Sequence, residues 1–243
     1  MRPYIVALGD IHFPFHDERA IKLVGKVVKA LKPEKLLSIG DALDMYYLSS
    51  FSKTKRLPEG YEEEVKGGNK GLDILDSWGV KDKIITLGNH EARLDKYVAR
   101  NCPDLEKVFT LETLYGFKKR GWKVVGYGEH IKFANTYFTH DAGPAGKYAL
   151  HQTYAEFHQS VAFGHTHALG VIYTHNATGQ LHYSVNLGWL GSNDYIDYTT
   201  QVAKTRKYTL GFGIGYKVNN FIHMQVIPIN KYTCVVNGKV YKG

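Results

Sequence analysis

Tyr4-Ile5-Val6-Ala7-Leu8-Gly9-Asp10-Ile11-His12 opens the chain with an apolar run fit for a buried strand, which breaks at a glycine into two side chains able to bind metal. The same plan recurs. Residues 35–39 run into Gly40-Asp41-Ala42-Leu43-Asp44, residues 83–87 into Gly88-Asn89-His90-Glu91, and residues 160–163 into Gly164-His165-Thr166-His167. A fifth motif, Thr139-His140, ends the run 136–139. Between the first two strands, Ala20, Ile21, Val24, Val27, Val28 and Leu31 recur at helical spacing over 18–31, and Pro33 follows. Further helices are expected over 62–78 and 91–100. Alternating strand and helix imply parallel strands with right-handed crossovers. Open sheets of that kind bind ligands at the carboxyl ends of their strands, where these motifs lie.

Past residue 120 the pattern changes to short strands, at 122–125, 131–133, 136–139, 160–163, 170–175 and 181–185, with one helix at 147–159. The tail from residue 217 is rich in strand, and Asn237-Gly238 is a hairpin signal. Two sheets flanked by helices accommodate this order, and the polar stretch 191–206 reads as a flap. The 243 residues suit a single domain over 1–243, with a motif core at 5–192 and a β-rich segment at 215–243. No apolar run approaches a membrane span, and the start runs straight into a strand, so a cytoplasmic protein is expected. Cys102 and Cys234 make no disulfide framework. The net charge of +8 favours polyanionic partners such as nucleic acid. The denser basic groups are Lys53-Thr54-Lys55-Arg56, Lys118-Lys119-Arg120 and Lys204-Thr205-Arg206-Lys207.

Aspartate, asparagine and histidine without thiolates suit Mn, Fe or Zn better than a structural zinc site. Asp10, His12, Asp41, Asn89, His140, His165 and His167 are more donors than one ion needs and fit two ions sharing a carboxylate. Asp41 is the natural bridge, since each of its oxygens can bind an ion. An extended segment would put Asp10 and His12 on one side. Two divalent cations, best read as Mn with Fe, Zn, Ni or Mg as alternatives, would lower the pKa of a shared water for in-line attack on phosphorus. Each motif alone is weak, because glycine and Asx residues favour loops; their common order and placement carry the signal.

The set Asp-x-His, Gly-Asp-x-x-Asp, Gly-Asn-His-Glu, His and Gly-His-x-His resembles the calcineurin-like metallophosphoesterase superfamily, over residues 5 to 167. The stretch 185–192, Val-Asn-Leu-Gly-Trp-Leu-Gly-Ser, is similar to its Asn-x-Gly-Ser turn. The resemblance implies an α/β four-layer αββα sandwich, two mixed sheets face to face with helices on both outer sides. It assigns Asp10, His12, Asp41 and His167 to one metal and Asp41, Asn89, His140 and His165 to the other. It also makes His90 the catalytic histidine and Asp44 the acid that orients it.

Departures bear on the substrate. Met45-Tyr46 follows Asp44 where the family's protein phosphatases have Arg-Gly, Leu87 precedes the third motif where they have Arg, and Asp141 follows His140 in place of the usual Gly. Arg93, just beyond the third motif, is a candidate for the missing grip on phosphate. Lys147, at the end of Gly143-Pro144-Ala145-Gly146-Lys147, is a candidate anion-binding residue before a helix. The expected activity is hydrolysis of phosphodiesters in nucleic acid or nucleotides. A phosphomonoesterase acting on nucleotides or other small phosphate esters is the alternative. A non-catalytic metal-binding scaffold would be expected to lack His90 or several ligands, and here all are present.

Overall fold

A computed structural model describes residues 1–50, 60–195 and 208–243. In chain order the first elements are β1 (Ile5–Leu8), α1 (Glu18–Leu31), β2 (Lys35–Ser38), α2 (Tyr61–Asp76), β3 (Asp82–Thr86), α3 (Ala92–Asn101), α4 (Leu111–Tyr115) and β4 (Trp122–Val125). They are followed by β5 (Ile131–Phe133), β6 (Thr136–Phe138), α5 (Ala149–Phe157), β7 (Ser160–Phe163), β8 (Leu169–His175) and β9 (Leu181–Leu187). The described chain ends with β10 (Gly211–Val218), β11 (Phe221–Pro228), β12 (Thr233–Val236) and β13 (Lys239–Lys242). The basic stretches 53–56 and 204–207, and most of the expected flap, lie outside the described residues.

Two mixed sheets result, ordered β11-β10-β1-β2-β3-β4 and β5-β6-β7-β9-β8. β1 to β4 are parallel neighbours, as the strand–helix alternation requires. Alternate residues of these strands serve two cores. Val6, Leu8, Leu36 and Ile85 join the core shared with α1, α2 and α3. Ile5, Ala7, Leu37, Ile39 and Ile84 join Phe138, Ala162, Tyr183, Val185 and Leu187 of the second sheet. Because Val171 of β8 faces that inner core, its neighbour Gly170 faces outward, and there it meets Leu150 of α5. Helices therefore cover both outer faces, which makes the molecule a four-layer αββα sandwich.

α1 forms where its apolar spacing places it. Asp17 caps it by accepting from Ala20 N at 2.9 Å, and Ala20, Ile21, Leu23, Val24, Val27 and Val28 are buried. The C-terminal strands do more than the sequence suggests. β10 begins at Gly211 and lies beside β1, antiparallel, so the first sheet is completed by the chain's last quarter. Its Gly213 and Gly215 face a space already filled by Leu187, Met224, Ile5 and Ile222, where any Cβ would collide. Among the described residues no helix is long and apolar enough to cross a membrane.

Candidate metal centre

Five of the seven expected ligands leave a strand end in left-handed backbone. Asp10, His12, Asp41, His165 and His167 have φ of 50°, 59°, 48°, 65° and 56°. Asp10 and His12 are therefore not in extended backbone, and their spacing of two works through consecutive tight turns instead. The first two loops run side by side, with His12 N donating to Asp41 O at 2.8 Å and Asp10 N to Gly40 O at 3.2 Å. Leu190 N donates to Asp10 O at 3.0 Å, which ties in the chain following β9. Gly88 is needed because a Cβ there would strike the Asp41 carboxylate.

Three overlapping groups of ligand atoms converge, each within 4.8 Å: Asp10, His12 and His167; His12, Asp41 and His90; and Asp41, His140 and His165. Asn89 joins the third group, its Oδ1 lying 3.1 Å from His140 Nε2 and 2.9 Å from His165 Nδ1. Asp41 belongs to two groups, as His12 does.

The donor set fits divalent cations. Asp10 and Asp41 are 0% and 1% exposed, yet among the described residues no lysine or arginine pairs with either; imidazoles alone oppose them. His140 donates from Nδ1 to Ile39 O at 2.9 Å, so its Nε2 is the nitrogen that faces Asp41 and Asn89. Burial opposes a charge on this ring, but the Asp41 carboxylate outweighs it and pushes His140 up to about 10. The centre thus draws in positive charge, which a bound cation would supply. His12 Nε2 and His167 Nε2 are 3.4 Å apart, a separation that two ligands of one ion, bonded at about 2.0–2.1 Å, would span.

Asp44 stands between two rings. Its carboxylate is 3.0 Å from His12 Nδ1 and 3.5 Å from His90 Nδ1. The shorter bond of His90 goes instead to the Asp44 backbone, Nδ1 donating to the carbonyl at 2.8 Å. Burial alone would raise the Asp44 pKa, but the two histidines hold it well below the usual carboxylate range. Arg93 donates to His90 Nε2 at 2.9 Å and to Asp44 O at 2.9 Å, so the candidate phosphate grip lies against the candidate catalytic ring. Lys147 is not brought there. Its amine lies 5.3 Å from the Tyr148 ring centroid, α5 begins only at Ala149, and Lys147 is not among the residues walling the centre. Asp141 Oδ2 lies 4.0 Å from His165 Nε2, while His16 contacts Pro14 O and Asp17 caps α1.

Four residues with structural roles here had no role assigned from sequence. Glu91 is fully buried and accepts from Asp41 N, Leu43 N and Gly88 N at 3.0, 2.8 and 2.7 Å, clamping the second motif to the third. Burial, with the nearby Asp41 charge, raises its pKa. Its place inside the motif Gly88-Asn89-His90-Glu91 was the available signal. Glu64 of α2, 1% exposed, accepts from the backbone N–H groups of Tyr46 and Tyr47, the turn after Asp44. Trp189 stacks on His167 with centroids 5.1 Å apart, and Tyr208 meets the same ring edge-on at 4.4 Å. A cavity of about 340 Å³ opens onto Asp41, Asn89, His90, Arg93, His165, His167 and Tyr208.

The chain is 26% identical over 262 residues to the Gene 54 protein of Mycobacterium phage D29 and 24% identical to that of Mycobacterium phage L5, each match covering both chains completely. Its fold is similar to that of Vps29 from Chaetomium thermophilum, with a TM-score of 0.51 at 12% identity, covering 99% of this chain and 93% of the other. The family model for calcineurin-like phosphoesterases matches residues 3–179, which span all five motifs. With the donor set and the two-sheet sandwich, that match shows that the chain belongs to the calcineurin-like phosphoesterase family.

Proposed function

We propose that this metal-dependent phosphoesterase hydrolyses phosphodiesters of nucleic acid or nucleotides with two divalent cations, manganese being the best-suited pair. Asp10, His12, Asp41 and His167 would hold one ion, and Asp41, Asn89, His140 and His165 the other. Bound there, the ions would acidify a shared water and draw charge from the phosphoryl oxygens.

The chain's own groups would do the rest. The His90 Nδ1–H bond to Asp44 O fixes the ring so that Nε2 points at the cavity. Arg93 now occupies that nitrogen. An arriving phosphate would compete for the guanidinium, whose planar donors suit phosphate oxygens. That exchange would free His90 Nε2 to take up a proton from solvent and pass it to the leaving oxygen. Tyr208 and the buried Trp189 pack on the His167 ring and hold it in place at the cavity.

The observation that carries the choice of a diester is adjacency. The cavity at the centre shares Asn89 and Arg93 with a second, basic cavity of about 360 Å³. A diester has a second substituent that needs such a path, and a small monoester does not. The test compares bis-p-nitrophenyl phosphate with p-nitrophenyl phosphate in Mn, Mg, Ni and Zn. Faster turnover of the diester is expected. Preference for the monoester with every metal would reverse the reading in favour of a phosphomonoesterase.

A further inference from the structure

The second cavity is built on one face of α3. Asn89, in the third motif, belongs to both cavities, and Arg93 follows on the first turn of the helix. Lys96 and Tyr97 come one turn on, and Arg100 and Asn101 one turn further. Ser49 and Ser50 belong to the same cavity. Among the described residues its walls carry three cations and no carboxylate. From Arg93 to Arg100 the helix rises about 10 Å, longer than one phosphate group.

Arg93 is the end of this row nearest the centre and already bonds to His90. The outer cations are less committed. Lys96 and Arg100 are exposed, the Lys96 amine resting 5.5 Å from the Tyr127 ring centroid. Between them Tyr97 is 42% exposed, an aromatic face beside a line of positive charge. Cations spaced along a groove with an interleaved ring are what single-stranded nucleic acid requires: charges for the backbone and a surface for an unpaired base. Paired bases would leave Tyr97 without a stacking partner.

We propose that the α3 trough binds the backbone of a single-stranded polynucleotide leading away from the phosphate held at the metal centre, with Lys96 and Arg100 on successive phosphates and Tyr97 under a base. This rests on the phosphodiesterase reading above and names its substrate. A larger cavity, about 650 Å³ between α1 and α2, also has lysines, but Glu18 lies in its wall and it shares no residue with the centre's cavity. It serves as the control.

The experiment measures binding of a fluorescent phosphorothioate oligothymidylate, which resists cleavage, by anisotropy over a range of salt. Lys96→Ala with Arg100→Ala should weaken binding about tenfold or more at low salt. The dependence of log K on log salt should flatten by about 0.7 per lost phosphate contact, about 1.4 for the pair. Tyr97→Ala should weaken binding while leaving that slope unchanged. Lys22→Ala with Lys29→Ala removes the same charge from the α1–α2 cavity and should change neither quantity appreciably. Equal weakening by both double variants would show a mere net-charge effect and overturn the proposal, as would no binding by the wild type. Equal displacement by duplex DNA, or by ATP at matched phosphate, would also overturn it. Hydrolysis of bis-p-nitrophenyl phosphate by a protein whose oligonucleotide binding ignores α3 would sink this inference alone. Failure of that hydrolysis would strike the functional reading itself.

Discussion

Asp10, His12 and His167 are at most 5% exposed, whereas the side chain of His165 keeps 35% of its surface in solvent. The first group is sealed by neighbours: Asp44 holds His12, and Trp189 and Tyr208 pack on His167. The second is more open at one member: Asp41 and His140 are 1% exposed, and His165 is the ring left in solvent. Asn89 and His165 border the cavity, which His167 also reaches, and their neighbour Asp141 approaches only to 4.0 Å. The difference teaches which half is wholly set by the fold and which leaves one ring to meet a ligand. Packing orients the sealed half in advance, while the open half leaves His165 to solvent and to an arriving phosphate. Asp41 links them.

If Asp41 is the link, Asp41→Ala should damage both halves. We expect kcat/KM to fall about 10³-fold or more, the equivalent of several kcal/mol of lost charge stabilisation, with metal analysis showing both ions weakened. Retention of one full equivalent would mean that the halves are independent. His90→Ala should lower turnover by about 10²–10⁴ with metal content near wild type. Its effect should shrink on substrates with good leaving groups such as p-nitrophenol, and equal losses on good and poor leaving groups would remove the acid role.

Glu64 probes the sealed side. Burial pushes its carboxyl up to about 7, against the pull of its backbone hydrogen bonds and with help from the Asp44 charge. An acid whose pKa is higher folded than unfolded binds protons more tightly in the fold. Its contribution is fully present below the unfolded pKa, near 4.5, and is lost as pH rises through about 7. The shift corresponds to at most about 3 kcal/mol. Denaturant unfolding across that window should show stability falling with pH, and Glu64→Gln should flatten the fall. Parallel curves for the two proteins would exclude the assignment.

Asp44→Asn should weaken metal binding about 10–100-fold, the usual size for losing a group that orients a ligand, because His12 would lose its anionic partner. Asp141→Asn, beside the open half, should do less. Titration with Mn²⁺ compares them directly, and a larger effect at Asp141 would invert the contrast between the halves.

The candidate ligands were legible because aspartate, asparagine and histidine at strand ends are chemically unusual, and because an apolar run followed by glycine announces such an end. α1 could be bounded from its spacing, since its buried face is nearly continuous. β10 escaped because glycine at alternate positions reads as a loop; only the crowding against Leu187 and Ile5 explains it. α4 is too short for periodicity to reveal. Trp189, Tyr208 and Glu64 reach the site from distant stretches, and no local spacing announces a contact made by folding. The expectation of an extended Asp10-x-His12 failed for a related reason: the turn is imposed by neighbouring loops.

Those turns have a consequence for anyone trying to harden the molecule. Five non-glycine residues held in left-handed backbone each forgo roughly 1 kcal/mol or more. Asp10, His12, Asp41, His165 and His167 are therefore among the places where glycine would relieve strain at no steric expense. A search guided by heat tolerance alone, without a screen for turnover, would be drawn to remove the very side chains that define the enzyme. Durability and chemistry compete here at the level of single φ angles, and a thermostable variant that keeps all five would have to gain its stability elsewhere.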